Sequence, residues 1–240
     1  TGVVIEVEGM SARIAVFLDR LRTENPPLSE VEDIQVADTN PTGDNRSFII
    51  TASSASESKT ARILSDIAIC PDCLNDISDP DNRRYNYPFT NCTNCGPRYS
   101  IVKSLPYDRQ NTSMKIFPMC PECREEYDNP ADRRFHAQPN ACPQCGPHLE
   151  LWDNNGDCIS KHHPALLMTA DAIRHGRIVA IKGLGGFHLV CDARNETCIG
   201  LLRERKHREK KPFALMFTNL DAIGNVCEVS KRELELLISP

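Results

Sequence analysis

The sequence predicts a multidomain protein of mixed α+β and α/β class: a small α+β unit, two metal-stapled modules, and an α/β unit. Three observations predict it. Strand-like and helix-like stretches run strand, helix, strand, strand at the start of the chain and alternate again toward its end. Between them lies a loop-rich stretch dense in Pro, Asn and Asp. Within that stretch one cysteine pattern is written twice.

Taken in order, Val3–Glu8 (VVIEVE) is rich in β-branched residues and reads as a strand. Ser11 suits an N-cap, and Ala12–Arg22 puts Ile14, Phe17, Leu18 and Leu21 on one helical face. Asn25, Pro26 and Pro27 end that helix. Val31–Ala37 and Phe48–Ala52 read as two further strands, and the polar Ser53–Lys59 as a linker. The chain has no initiator methionine and opens on a strand-like stretch, so it reads as a piece of a longer protein.

In the middle stretch, Cys70, Cys73, Cys92 and Cys95 recur fifty residues later as Cys120, Cys123, Cys142 and Cys145. Pro80, the Arg83–Arg84 pair and Gly96–Pro97 recur as Pro130, Arg133–Arg134 and Gly146–Pro147. Matches beyond the cysteines mark duplication of one unit. Two thiolates three residues apart on a tight turn can reach one ion at about 2.3 Å, and two such turns complete a tetrahedron. Four soft sulfurs with no open position select zinc, with iron as the alternative, in a structural role. Binding worth about 10–16 kcal/mol per ion replaces the apolar core that so polar a stretch lacks. Each block is complete by itself, which favours one site per block over a crossed arrangement. Gly96 and Gly146 follow the last ligands, where a positive φ is expected. His136 and His148 lie nearby but are read as packing or solvent contacts, since the sulfurs already close each site.

The Arg pairs allow two readings: a grip on a phosphate-bearing ligand, or bracing of nearby acids such as Asp79 and Asp81, or Asp128 and Asp132. The remaining Cys158, Cys191, Cys198 and Cys227 are read as small buried apolar residues. Composition narrows the function classes. Charged residues make up 25% and the net charge is −5, which is ordinary for a globular chain and argues against a generally basic nucleic-acid binder. No secretory signal is visible, and no apolar run approaches the roughly 18 residues of a membrane span. Paired cysteines in such a setting point to metal in a reducing compartment rather than to disulfides.

In the last region, Ala165–His175 reads as a helix closed by Gly176, Ile178–Lys182 and Phe187–Cys191 as strands, and Glu196–Lys206 as a helix. Phe213–Phe217 (FALMF) reads as another strand and Lys231–Leu237 as a helix. The Gly-rich turn Lys182–His188 can let a ligand approach the backbone, but matches neither a P-loop nor a dinucleotide fingerprint. Arg203–Lys211 (RERKHREKK) carries six basic and two acidic residues. It is either a solvated helix end or a phosphate grip. His188 and His207 are read as structural.

Together these residues resemble the hydrogenase maturation carbamoyltransferase family HypF. The blocks CPDC…DPDNRRY…CTNCGPR and CPEC…NPADRRF…CPQCGPH look like its twin zinc fingers, and GRIVAIKGLGGFHLVCDARN with LRERKHREKKPFALMF looks like the start of its YrdC-like domain. The resemblance implies four regions. Residues 1–58 are the C-terminal part of a ferredoxin-like acylphosphatase domain, 66–110 and 116–152 the two fingers, and 164–240 the N-terminal part of a YrdC-like α/β domain. It implies two structural Zn²⁺ held by the eight cysteines of the blocks. It also implies carbamoyl phosphate and ATP as substrates, a carbamoyl-adenylate intermediate, a cytoplasmic location, and transfer to the C-terminal cysteine of the partner HypE for the cyanide ligands of [NiFe]-hydrogenase. Lys206 and Arg208 match the family's K-x-R element and are carried over as contacts to the adenylate phosphate or carbamoyl oxygen. No residue here matches the acylphosphatase catalytic positions, so no catalytic residue is assigned. The alternative is an RNA-binding zinc-ribbon and YrdC-like module using the Arg203–Lys211 patch.

Overall fold

A computed structural model of the chain describes residues 3–25, 31–41, 43, 49 and 63–239. These divide into two compact units, residues 1–146 and 147–240.

In the first unit, α1 spans Ser11–Thr23. Its Ile14, Phe17, Leu18 and Leu21 are half-buried while the rest of the helix is exposed, which is the face the periodicity marks. Val3–Glu8, and Val31–Ala37 apart from the half-buried Ile34, are exposed and join no sheet among the described residues. A strand needs a partner to satisfy its backbone, and β-branched composition alone does not supply one. Apart from Ile49, the expected strand Phe48–Ala52 lies outside the described residues, as does the Ser53–Lys59 linker.

The repeated blocks each form a short helix, α2 (Pro71–Ser78) and α3 (Pro121–Asp128), that composition alone reads as loop. Pro stands in the first turn of each, where its missing N–H costs nothing. After each helix the chain turns back at a residue in the left-handed region, Asn86 (φ 54°) and His136 (φ 50°). Their amides donate to the carbonyls of Ile77 and Tyr127, both at 2.9 Å, so the two folds match turn for turn. The apolar core beside them is small: Ile101, Met114 and Ala141, flanked by Tyr107 and Phe117.

In the second unit, β1 (Glu150–Trp152) and β2 (Cys158–Lys161) form an antiparallel hairpin, and α4 (His162–Arg174) packs against both and against β3. Gly176 closes α4 at φ 73°. β3 (Val179–Lys182) and β4 (Phe187–Val190) pair antiparallel across the Gly-rich turn. α5 (Glu196–Arg205) and α6 (Leu220–Gly224) are N-capped by Asn195 and Asn219, and α7 (Lys231–Leu237) opens with a Ser230–Glu233 capping box. Phe213–Phe217 is not a strand. Leu215 and Met216 are exposed, and among the described residues no neighbouring strand offers a ladder.

Candidate metal centres

The structure gathers Cys70, Cys73, Cys92 and Cys95 into one cluster and Cys120, Cys123, Cys142 and Cys145 into a second. Within each cluster the sulfurs all lie within 4.8 Å of one another. Cys70 and Cys92 Sγ are 3.7 Å apart and Cys92 and Cys95 3.8 Å; the second block repeats these as 3.7 Å and 3.8 Å. Sulfurs about 2.3 Å from one ion in a regular tetrahedron stand about 3.8 Å apart, so the donor set fits a four-coordinate ion. All twelve cysteines are free thiols, and these separations are far beyond an S–S bond of about 2.05 Å.

Such thiols cannot all ionise without a cation between them. Hydrogen bonds from Cys73 and Cys95 drive Cys92 well below the ordinary thiol range, and hydrogen bonding to Cys92 and Cys95 drives Cys73 well above it. In each block the first cysteine caps the short helix and the second sits in its first turn, where the macrodipole favours a thiolate. The second pair is a knuckle: the Asn94 amide donates to Cys92 Sγ at 3.3 Å.

Around the sulfurs the modules exchange arginines. Arg83 and Arg84 of the first module donate to Cys123 Sγ of the second at 3.3 and 3.6 Å, and both pair with Glu126. Arg133 donates to Cys73 Sγ at 2.9 Å, and Arg133 and Arg134 both pair with Asp76. Arg84 Nε donates to the Ala141 carbonyl at 2.9 Å and Arg134 Nε to the Asn91 carbonyl at 3.1 Å. The Arg83 and Arg133 contacts to sulfur, the four ion pairs and the two Nε–carbonyl bonds repeat with the blocks interchanged, as at an interface between two copies related by a two-fold axis, while the Arg84–Cys123 contact has no counterpart from Arg134. Burial pushes the Glu126 carboxyl up, but hydrogen bonds from Arg84 and Arg83 outweigh it and hold the group at about 2.

This corrects the bracing expected within each block. Asp79 and Asp132 accept backbone amides of their own turns, from Asp81 at 3.0 Å and Arg134 at 2.7 Å. The acids that meet the arginines, Asp76 and Glu126, stand three residues beyond a ligand cysteine, on the same helical face, so one guanidinium reaches thiolate and carboxylate together. Of the glycines after the last ligands, Gly96 has the expected positive φ of 94°. Gly146 does not. It is required by close approach, since a Cβ there would lie 2.3 Å from the Tyr87 hydroxyl.

The other sequence-marked residues are scattered. His136 stacks on Tyr127, and His148 on His162. Of the unpaired cysteines only Cys198 is fully buried; Cys191 is half-buried, and Cys158 and Cys227 are exposed, against the buried role expected for them. The structure brings Lys206 and Arg208 to the loop after α5. Lys206 is exposed. Arg208 lies over the Phe213 ring and donates to the Pro212 carbonyl at 3.0 Å, while its Nε is buried without a hydrogen-bond partner. Arg203 ties the loop together by donating to the carbonyls of Arg208, Glu209 and Lys211.

With this geometry established, the comparisons are specific. The HypF finger family model matches residues 69–102 and again 119–152. The Sua5/YciO/YrdC family model, described as telomere recombination, matches residues 171–239. The carbamoyltransferase HypF2 of Cupriavidus necator is 49% identical over 98% of this chain, and the carbamoyltransferase HypF of Synechocystis 49% over 99%. The chain belongs to the HypF family. It spans 29% and 31% of those two relatives' lengths. A crystal structure of HypF from T. kodakarensis matches 97% of the chain with a TM-score of 0.87 at 44% identity. A full-length HypF structure in a phosphate- and nucleotide-bound form matches 96% with a TM-score of 0.84 at 42% identity. These cover 29% and 30% of the respective HypF chains. The chain combines two HypF-type four-cysteine modules with a YrdC-like region of mixed helix and strand.

Proposed function

We propose that these residues serve as the segment of a carbamoyltransferase that joins its carbamoyl-phosphate-hydrolysing part to its adenylating part. The observation that carries this reading is 45–49% identity, over most or all of the chain, to proteins named carbamoyltransferase HypF or HypF2, with all eight repeat cysteines closed into two clusters. In the whole protein, carbamoyl phosphate is hydrolysed and the carbamate is adenylated with ATP. The carbamoyl group then passes to the C-terminal cysteine of HypE, as the precursor of cyanide on the iron of [NiFe]-hydrogenase. Residues 1–58 form the end of an acylphosphatase-like domain and 164–240 the start of the YrdC-like one, with fingers at 66–110 and 116–152.

Each cluster holds one structural Zn²⁺ through its four thiolates. When bound, zinc supplies a cross-link in place of an apolar core. Carbamate is unstable in water, so the relay requires enclosed passage. The twin modules act in it as a rigid spacer between the two reacting domains. Lys206 and Arg208 contact the adenylate phosphate or carbamoyl oxygen. The exposed Lys206 ammonium and the unpartnered Arg208 Nε support this, because both are donors suited to anionic oxygen. A cytoplasmic location is part of the same reading. Among the described residues no helix is long and apolar enough to cross a membrane, and every cysteine is a free thiol.

Carbamoyl-phosphate-dependent ATP–pyrophosphate exchange, measured on the full-length protein, tests the reading. Exchange that Lys206→Ala abolishes supports it. Absence of exchange, together with salt-dependent RNA binding through Arg203–Lys211, would transfer the function to the RNA-binding alternative. Removal of zinc from protein that stays folded should uncouple hydrolysis from adenylation, and intact coupling would remove the spacer role.

A further inference from the structure

We infer that the two metal modules are one reciprocally coupled unit, in which the Arg pair of each is a positioning device for the metal site of the other. The inference stands independently of the carbamoyl chemistry. It rests on where the arginines end. Arg84 touches the other module at both halves of its ligand set: at Cys123 Sγ in the helical pair, and at the carbonyl of Ala141, the residue before Cys142 in the knuckle pair. Arg134 meets the first module at Asp76, one turn beyond Cys73, and at the carbonyl of Asn91 before Cys92, leaving the sulfur contact to Arg133. Arg83 and Arg133 add direct N–H donors to Cys123 and Cys73.

Four thiolates around a divalent cation leave a net charge of minus two on the centre, buried away from water. The guanidinium N–H groups lie against that charge and are screened little, since Arg84 and Arg134 are 2% and 5% exposed. Each pair sits in the link between its own module's two cysteine pairs. Its placement depends on that link being closed: Arg84 N is held by Asn82 Oδ1 at 2.9 Å, and Arg134 N by Asp132 Oδ1 at 2.7 Å. Losing metal from one module therefore frees the arm that compensates charge in the other. Coupling of this kind is reciprocal by linkage, so the second site must act on the first to the same extent.

The test uses the full chain carrying Arg133→Gln and Arg134→Gln, which leaves all eight cysteines intact. The readouts are chelator-driven metal release and cadmium-113 NMR of the cadmium-loaded protein, which reports each centre separately. Groups that orient metal ligands typically change metal affinity about 10–100-fold when removed. The expected result is that the Cys70–Cys95 centre, in the module that was not mutated, releases metal about 10–100-fold faster and shifts its cadmium resonance. Arg133→Lys should restore part of the effect. Release confined to the mutated module, or two centres that empty independently at unchanged rates, would overturn the inference. Should the double variant fail to fold, Arg133→Gln alone removes a partly exposed arm. An unchanged Cys70–Cys95 resonance in that variant contradicts the inference equally.

Discussion

The first and second modules share spacing, helix, turn and arginine exchange, yet hold their knuckles by different means. In the first, the buried Arg98 donates to the carbonyls of Cys92, Thr93, Cys95 and Pro97, and the Asp66 carboxylate accepts the amides of Arg98 and Ser100. The second has His148 at the position of Arg98, a partly exposed side chain facing Glu150. Part of its support comes from outside the repeat. Arg109, in the connection between the modules, donates to the carbonyls of Gln138, Asn140 and Phe117. Asn140, fully buried where the first module has Thr90, accepts from Arg84 and donates to the Cys123 carbonyl. Duplication has kept the sulfur clusters and the arginine–acid exchange between the modules. What merely braces the backbone has diverged with its surroundings.

Experiments that sharpen this contrast run from large effects to small. Cys73→Ser and Cys123→Ser each remove a fully buried thiol of one cluster, and if zinc is held there each should forfeit most of the about 10–16 kcal/mol that a structural zinc supplies. Circular dichroism and metal content should report loss of ordered structure in both variants. Retention of two metals by either would break the account. Arg84→Met and Arg134→Met each remove one of the two guanidinium partners of Glu126 and Asp76, whose side chains are 17% exposed, and should cost about 1.5–3 kcal/mol in denaturant unfolding. Arg84→Met should lose somewhat more, since Arg84 also donates to Cys123 Sγ and Asn140 Oδ1. A large loss in one and none in the other would show that the exchange is not mutual.

The glycines separate the modules more finely. Gly96→Ala must adopt a positive φ and meets Asn91 Cβ at 2.6 Å, whereas Gly146→Ala meets the Tyr87 hydroxyl and Ala141 Cβ at 2.3 and 2.5 Å. Each should lower stability by about 1–3 kcal/mol. Tyr87→Phe should recover part of the loss at Gly146 and none at Gly96, as read from midpoints of thermal unfolding. Smallest and most asymmetric is the knuckle brace. Arg98→Met leaves buried carbonyls unpaired, at about 1–3 kcal/mol, while His148→Ala should stay within about 0.5 kcal/mol. Equal effects at these two positions would erase the distinction between the modules.

What the sequence made legible was local. The grouping of the eight cysteines into two clusters, the helical face of α1, the runs of β3, α5 and α7, and all but the first three residues of α4 follow from spacings of a few residues, where period and caps speak directly. The arginine exchange was hidden because its partners are far apart in sequence. Arg84 meets Glu126 across 42 residues and Arg134 meets Asp76 across 58, while nearer acids offered a plausible substitute. Phe213–Phe217 has the composition of a strand, but composition cannot report whether a neighbouring strand exists. The β1–β2 hairpin carried a usable signal that went unread: Asp153–Asp157 (DNNGD) between ELW and CISK is turn chemistry with a left-handed Gly156 at φ 90°. The helices α2 and α3 were obscured by polar composition. Each begins with proline after a cysteine whose partner lies one turn on, and that pattern marks a helix only once a metal is invoked.

The central claim is that both blocks close as four-sulfur metal centres in one chain. X-ray absorption at the zinc edge, combined with metal analysis of the purified protein, tests it most directly. The account predicts two zinc ions per chain, each with sulfur as its sole neighbour at about 2.3 Å. A single zinc per chain, or nitrogen or oxygen in the coordination shell, would contradict it.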